Sequence, residues 1–184
     1  PWVTTTKFDF DNKDHAAKAK LLYVPSAWLA NWDVFGQTYD NVSAEGVVLD
    51  TGGSLVYRAR GGEKEFSNTS VNELESLRNM SKNPTAAGIF MDLTPEEIKS
   101  QIANLEAMAS NEQIRDVVFG VFDLSDPAEK TDAENLVKTL IARKNIIVAS
   151  LTGLGSIESR MPTELRRFIE MPTMAAEEDI FHVR

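Results

Sequence analysis

The sequence contains no cysteine, only two histidines and no long apolar run. Without cysteine, disulfides, thiol catalysis and zinc–thiolate sites are excluded. His15 and His182 lie in polar segments near opposite ends of the chain, and neither adjoins a nucleophile motif, which disfavours a Ser-His-Asp triad. No apolar stretch approaches the ~18 residues of a membrane span, and no signal-peptide pattern is present. These absences predict a protein without a membrane partner and with a cytoplasmic location.

Cationic side chains are also scarce. The chain has 19 Lys and Arg against 28 Asp and Glu, a net charge of −9 and a pI near 4.8. Affinity for nucleic acid rests on clustered Lys and Arg, whereas the basic residues here occur in pairs such as Arg166–Arg167. A direct nucleic-acid partner is therefore not expected, and the acidic surface is explained by solubility.

The length of 184 residues and a hydrophobic content of 42% suit one folded domain, residues 1–184. The patterning divides it into an N-terminal arm (residues 1–14), a hairpin and helix layer (15–84), an α/β unit (85–153) and a C-terminal tail (154–184).

Residues 85–153 carry the strongest secondary-structure signals. Three apolar, β-branched runs predict strands at residues 88–93, 117–124 and 146–151, and two amphipathic segments predict helices at residues 94–109 and 131–144. Strands that alternate with helices through short connections form parallel sheets with right-handed crossovers. The predicted fold class is therefore α/β (or α+β), with a central parallel β-α-β-α-β unit at residues 88–151.

Capping signals locate the helix ends. Thr94-Pro95-Glu96-Glu97 combines an N-cap, a proline at the first helical position and the glutamate of a capping box. Ser70-x-x-Glu73 predicts a second capping box. Asn83-Pro84 and Ser110-Asn111 are interpreted as helix ends. Arg143 and Lys144 are predicted to face outward at a helix C-terminus, where positive charge is favourable.

Residues 47–60 predict a β-hairpin around Asp50-Thr51-Gly52-Gly53, which has the chemistry of a tight turn. Asp50-Thr51-Gly52, preceded by apolar residues, also resembles the active-site triplet of aspartic proteases. That resemblance implies a carboxylate pair that activates water, and with one copy per chain it implies a dimer. A plain turn is the favoured interpretation.

The carboxyl ends of the predicted strands are where a ligand of an open α/β sheet would bind. The candidate catalytic residues at these ends are Asp92, Asp123, Ser125 and Ser150. Asp92 and Asp123 have the oxygen chemistry that Mg²⁺ prefers. Asp123-x-Ser125 also resembles half of the metal-dependent adhesion motif of von Willebrand A-type domains, with Pro127 in place of the second serine. Turn chemistry explains the same residues, so no metal and no cofactor are predicted.

The order of elements offers a further resemblance. The predicted order of elements is similar to the middle of the crotonase and Clp-protease superfamily. This order is a helix, the segment Asn111-Glu112-Gln113-Ile114-Arg115, a strand, a second helix and a strand ending in Thr-Gly. The glycine-rich oxyanion loop of that family would lie around residues 124–130, which read LSDPAEK. The resemblance therefore implies at most a related fold.

Aromatic side chains supply the candidate interface. Trp28 and Trp32 fall on one helix face with Phe35 and Tyr39, either as a wall of the core or as a partner surface. The terminal arms carry further apolar groups. The predicted interface residues are Trp2, Phe8, Phe10, Trp28, Trp32 and Phe181.

Two functions remain open at this point. The favoured one is a non-catalytic structural, assembly or protein-interaction subunit that self-associates through its terminal arms, with another copy or a second protein as partner. The chain has no cysteine, no well-placed histidine and no phosphate-binding loop. The alternative is an enzyme on the α/β scaffold that acts on an acyl or phosphoryl substrate with the strand-end Asp and Ser residues.

Overall fold

The computed structural model describes residues 6–58 and 60–160, and all regular structure in this part of the chain is helical. Seven helices occur in the order α1 Lys13–Lys20, α2 Tyr23–Trp28, α3 Glu73–Ser76, α4 Pro84–Phe90, α5 Pro95–Met108, α6 Asn111–Phe119 and α7 Pro127–Arg160. A long irregular segment separates α2 from α3. The chain divides into two compact units, Pro1–Leu151 and Thr152–Arg184, and the description below concerns the first.

The predicted parallel sheet is wrong, because the described residues contain no strand. Residues 88–90 belong to α4, residues 117–119 belong to α6, and residues 146–151 continue α7. A short apolar run cannot be distinguished from a buried helix segment by its letters alone. The α/β and α+β fold classes are therefore both replaced by a helical fold.

The predicted hairpin at residues 47–60 is also absent. Antiparallel pairing in the described residues is limited to isolated bridges, Lys7 with Ser43, Val42 with Val48 and Tyr57 with Glu63. In the predicted turn, the Gly52 amide donates a 2.7 Å hydrogen bond to the carboxylate of Asp50. The glycine-rich stretch therefore turns the chain, but no strands flank it.

The two helices predicted from periodicity are confirmed. Thr94 caps α5 through a complete capping box with Glu97, as the sequence predicts. The predicted helix at residues 131–144 forms the early part of α7, which begins earlier and ends later. Asp126 precedes α7 and accepts hydrogen bonds from the amides of Ala128 and Glu129.

The core is built around α2 and an aromatic cluster. Tyr23 of α2 lies 5.3 Å from Phe90 of α4, and Phe90 lies 5.1 Å from Phe35 in the long irregular segment. Phe8 stacks on Phe35 at 6.3 Å and is 4% exposed, so the chain before α1 packs onto its own core. The aromatic groups thus join four segments that are distant in sequence.

Long cationic side chains donate hydrogen bonds to the unpaired carbonyls at the ends of several helices. The last carbonyls of a helix have no partner within it and need donors from elsewhere. Arg143 donates to the carbonyls of Ala27 and Trp28 at the end of α2. Arg78 donates to the Phe90 carbonyl at the end of α4, and Lys144 donates to the Ala109 carbonyl at 2.7 Å after α5.

Arg143 and Lys144 are therefore buried rather than outward-facing. Arg143 is 1% exposed and Lys144 is 7% exposed. The sequence-based assignment is wrong because α7 continues through these residues to Arg160, and they bind the carbonyl ends of other helices instead of their own.

Candidate interaction surface

Helix α6 begins with a capping signal. Ser110 accepts a hydrogen bond from the Gln113 amide, and the Gln113 side chain accepts one from the Ser110 amide. The helix then buries Ile114 and Val118, which are four residues apart on one face. Residues 110–119 are therefore held as a helix on the body of the protein by a cap and two apolar contacts.

Three large apolar side chains on and beside this helix face solvent. Met108 at the end of α5 is 77% exposed, Val117 is 71% exposed and Val121 is 78% exposed. Single exposed apolar residues are ordinary, but a group of them is informative. We call Met108, Val117 and Val121 the α6 surface.

A shallow apolar groove of about 320 Å³ adjoins the α6 surface. Met108 and Val117 form part of its lining together with Ile114, Trp28 and Leu140. The Trp28 indole N–H donates a 2.9 Å hydrogen bond to the Leu140 carbonyl, which fixes the ring between α2 and α7. Protruding and concave apolar groups are therefore present side by side.

The chain around this surface is strongly acidic. Residues 104–134 contain eight carboxylates and two cationic side chains, a net charge of −6. Glu112 and Asp116 lie on α6 itself and are exposed. Any partner of the α6 surface therefore approaches a negative potential.

Of the predicted interface residues, Trp28 lines the groove beside the α6 surface. Trp32 is 39% exposed and borders a separate polar pocket. Phe10 is 43% exposed and its ring lies 5.0 Å from that of Tyr39, whereas Phe8 is buried in its own chain. Trp2 and Phe181 lie outside the described residues.

The four candidate catalytic residues are not brought together. Asp92, in the connection between α4 and α5, forms a 2.9 Å ion pair with Lys20 at the end of α1. Asp123 accepts a 2.6 Å hydrogen bond from the Ser125 hydroxyl near the start of α7, and this hydrogen bonding lowers the pKa of Asp123. Ser150 donates to the Ile147 carbonyl within α7. At 1.5 Å per residue, Ser150 lies about 35 Å along the helix from its first turn.

The described residues contain no cluster of three or more His, Asp or Glu side chains that could hold a metal ion. Asp92 and Asp123, which have the oxygen chemistry that Mg²⁺ prefers, are engaged with Lys20 and with Ser125 respectively. Within the same part of the chain, no helix is long and apolar enough to cross a bilayer.

Comparison with known proteins gave no match to a family model, to a curated protein or to a solved structure.

The α6 surface was missed by sequence reasoning, and a signal for it exists. Ser110-x-x-Gln113 is a capping box, yet the serine was interpreted as the end of the preceding helix. A helix begun at Ser110 places Ile114, Val117, Val118 and Val121 along one side at three- and four-residue spacing. The structure buries Ile114 and Val118 of this stripe and leaves Val117 and Val121 exposed.

Proposed function

We propose that the protein is a non-catalytic subunit that associates with copies of itself and that the α6 surface is its contact surface. The observation that carries this proposal is the group of exposed apolar side chains, Met108, Val117 and Val121, beside an apolar groove. Uncovered apolar groups of this kind are typical of protein–protein contacts.

We favour a second copy as the partner because exposed apolar side chains beside an apolar groove can serve both subunits of a two-fold contact. In a two-fold contact the same patch is used by both subunits, so each must offer both a protrusion and a recess. Val117 and Met108 supply the protrusion, and the groove lined by Trp28 and Leu140 supplies the recess. In a pair of copies related by a two-fold axis, Val117 and Met108 of each copy would insert into the groove of the other.

The acidic residues near the α6 surface predict how association through it should depend on salt. Two copies that meet here bring two segments of net charge −6 together. Salt screens that repulsion, so association should strengthen as NaCl is raised. A basic protein partner would behave in the opposite way, since salt would screen an attraction.

The direct test is sedimentation velocity over a range of protein concentrations at low and high NaCl. We expect a monomer–dimer or larger equilibrium that shifts toward the assembly at high salt. Replacing Val117 and Val121 together by serine should weaken association about tenfold, since each substitution removes apolar surface whose burial contributes about 25 cal/mol per Å². A monomer at all concentrations and salt conditions would refute the proposal.

The matched control replaces Val47 and Leu49 by serine. These residues are 53% and 51% exposed and lie outside the α6 surface and its groove. The control carries the same kind of change at the same number of sites, so an equal loss of association in both variants would show that the α6 surface is not the contact.

The terminal arms are a second part of the proposal, predicted from sequence. Their test is a pair of truncations, one lacking residues 1–5 and one lacking residues 180–184. The N-terminal truncation stops before Phe8, because Phe8 is a core residue and its loss would destabilise the fold. Weaker association of either variant, with an unchanged melting temperature, is the expected result.

The enzyme alternative loses its structural premise. It required strand ends that gather Asp92, Asp123, Ser125 and Ser150, and the described residues contain no sheet. The hydrogen bond from Ser125 to Asp123 lies in an exposed turn near the start of α7, and Ser150 lies far along that helix.

A further inference from the structure

A groove separate from the α6 surface runs between residues 51–66 and the first half of α7. Its volume is about 720 Å³, within the range of about 300–1,000 Å³ that is typical of small-molecule sites. One face of α7 forms a wall through side chains at three- and four-residue spacing. These are Asp132, Asn135, Leu136 and Thr139. We call this cavity the ring groove.

Three aromatic side chains line the ring groove: Tyr57, Phe66 and Phe122. The guanidinium of Arg143 lies 4.7 Å from the centre of the Phe66 ring, which helps to fix that ring in place. Tyr57 is 55% exposed at the groove. Aromatic faces offer a flat guest both apolar contact and, if the guest is cationic, attraction to their negative π-faces.

The charge of the ring groove is of one sign. Its lining includes the carboxylates of Glu63 and Asp132 and no Lys, Arg or His side chain. Within the described residues neither carboxylate forms an ion pair or a side-chain hydrogen bond. The groove therefore offers two acidic groups that are free to pair with a cationic guest.

A buried polar atom in the lining also lacks a partner. The Ser54 hydroxyl is shielded from solvent and has no hydrogen-bond partner among the residues that the structure describes. Buried polar groups are nearly always hydrogen-bonded, so this hydroxyl is an exception in the wall of the groove.

The irregular wall of the groove is held in shape by the rest of the fold. Leu55 has a left-handed backbone with φ of 56°, and its amide donates a 2.7 Å hydrogen bond to the Leu29 carbonyl. The Lys64 ammonium donates to the carbonyls of Ala30 and Gly53. Strained backbone that is held by its surroundings is common at binding sites, and it makes the groove preformed.

We propose that the ring groove binds a small aromatic cation, with its ring against Tyr57 and Phe66 and its ammonium group beside Asp132 and Glu63. Aromatic lining selects a flat ring, and the two carboxylates of the lining favour positive charge over an anion. This binding is independent of self-association through the α6 surface.

The test compares three probes by isothermal titration calorimetry with the full chain. Tryptamine carries a flat ring and an ammonium group, indole-3-propionate carries the same ring with a carboxylate, and cyclohexylamine carries an ammonium group without an aromatic ring. We expect tryptamine to bind at least tenfold more tightly than either of the others. Absence of tryptamine binding, or equal affinity for tryptamine and indole-3-propionate, would overturn the proposal.

The location is tested by a charge-removing pair of variants. Glu63→Gln with Asp132→Asn should weaken tryptamine binding about fivefold or more, since each partly exposed ion pair contributes up to about fivefold. The matched control, Glu65→Gln with Glu134→Gln, removes the same charge from adjacent exposed positions that do not line the groove. Equal weakening in both pairs would place the binding elsewhere.

Binding at the ring groove should also be visible in the amide spectrum. Shifts caused by tryptamine are expected to concentrate at residues 51–57 and 132–139. Shifts that concentrate at the α6 surface instead would overturn the assignment, as would binding that survives the double substitution at full strength. Melting curves of both variants establish that they are folded.

Discussion

Arg143 and Glu73, seventy positions apart in the sequence, form an ion pair of 2.7 Å inside the protein. Their side chains are 1% and 8% exposed. The same guanidinium also donates to the carbonyls of Ala27, Trp28, Ser67 and Ser70. One side chain of α7 therefore joins α2, α3 and the segment that precedes α3.

Replacing Arg143 by methionine should destabilise the protein by about 3–5 kcal/mol, because it leaves the Glu73 carboxylate buried without a partner. The carbonyls at the end of α2 lose their donors at the same time. Urea denaturation followed by circular dichroism measures the change. Adding Glu73→Leu to this variant should restore part of the lost stability, since the unpaired charge is then removed.

The control for this prediction is Lys82→Met, which breaks the exposed ion pair between Lys82 and Glu75. Exposed pairs contribute little, so stability should change far less than in Arg143→Met. Similar losses in the two variants would contradict the role assigned to burial.

The capping box of α5 predicts both a stability loss and a pH dependence. Thr94→Ala should cost about 1 kcal/mol at neutral pH. Hydrogen bonds from Thr94 lower the pKa of Glu97, so this carboxylate stabilises the fold above its ordinary pKa of about 4.3. That contribution is lost as pH falls through the lowered folded value.

The measurement is thermal unfolding of the wild type and Glu97→Gln from pH 7 down to pH 2. The wild type should be the more stable of the two at pH 7, and the difference should shrink below pH 4. A difference that is constant with pH would show that the carboxylate charge does not contribute.

Helix boundaries mark where sequence reasoning succeeded and failed. Thr94-Pro95-Glu96-Glu97 predicts a helix start correctly because it combines an N-cap, a proline and a capping-box glutamate, and α5 follows it. Asn83-Pro84 and Ser110 were interpreted as ends, yet Asn83 and Ser110 are the N-caps of α4 and α6. A short polar residue such as Asn83 or Ser110 can follow the end of one helix and cap the start of the next, and the letters alone do not distinguish the two roles.

The buried polar pairs could not be inferred from the sequence at all. Arg143 is one cationic residue among many, and its position in the core depends on which helix ends lie opposite it in space. The ring groove could not be inferred from the sequence either, because it forms between α7 and an irregular segment whose path no periodicity predicts.

Asp33 should destabilise the fold at neutral pH. Burial, together with the nearby charges of Asp50 and Asp40, raises the pKa of Asp33. The ionised form is therefore disfavoured in the folded state, and this penalty is released as pH falls through the raised folded value. Asp33→Asn should be more stable than the wild type at pH 7, and the gain should disappear near pH 3.

Thermal unfolding at the two pH values tests this prediction, with Asp11→Asn as an exposed control. A gain at pH 7 that persists unchanged at pH 3 would show that the charge of Asp33 is not its source.

Gly36 has a φ of 69°, and a Cβ atom there would lie 2.3 Å from a carboxylate oxygen of Asp40. Gly36→Ala should cost about 1–2 kcal/mol from the left-handed backbone and more from the displaced side chain. Gly61→Ala is the control, because its φ is 78° but no described atom lies within 4 Å of the added carbon. Chemical denaturation should show the larger loss at Gly36; the reverse order would contradict the crowding.

The hydrogen bonds of Arg143 can form only late in synthesis, because their acceptors are made long before Arg143 itself. Trp28 is synthesised 115 residues before Arg143, whose guanidinium donates to the Trp28 carbonyl. At about 5–20 residues per second, that interval lasts about 6–23 s. A nascent chain that ends before residue 143 lacks the group that closes α2 and neutralises Glu73. Until α7 emerges, this part of the interior stays open to water and to chaperones.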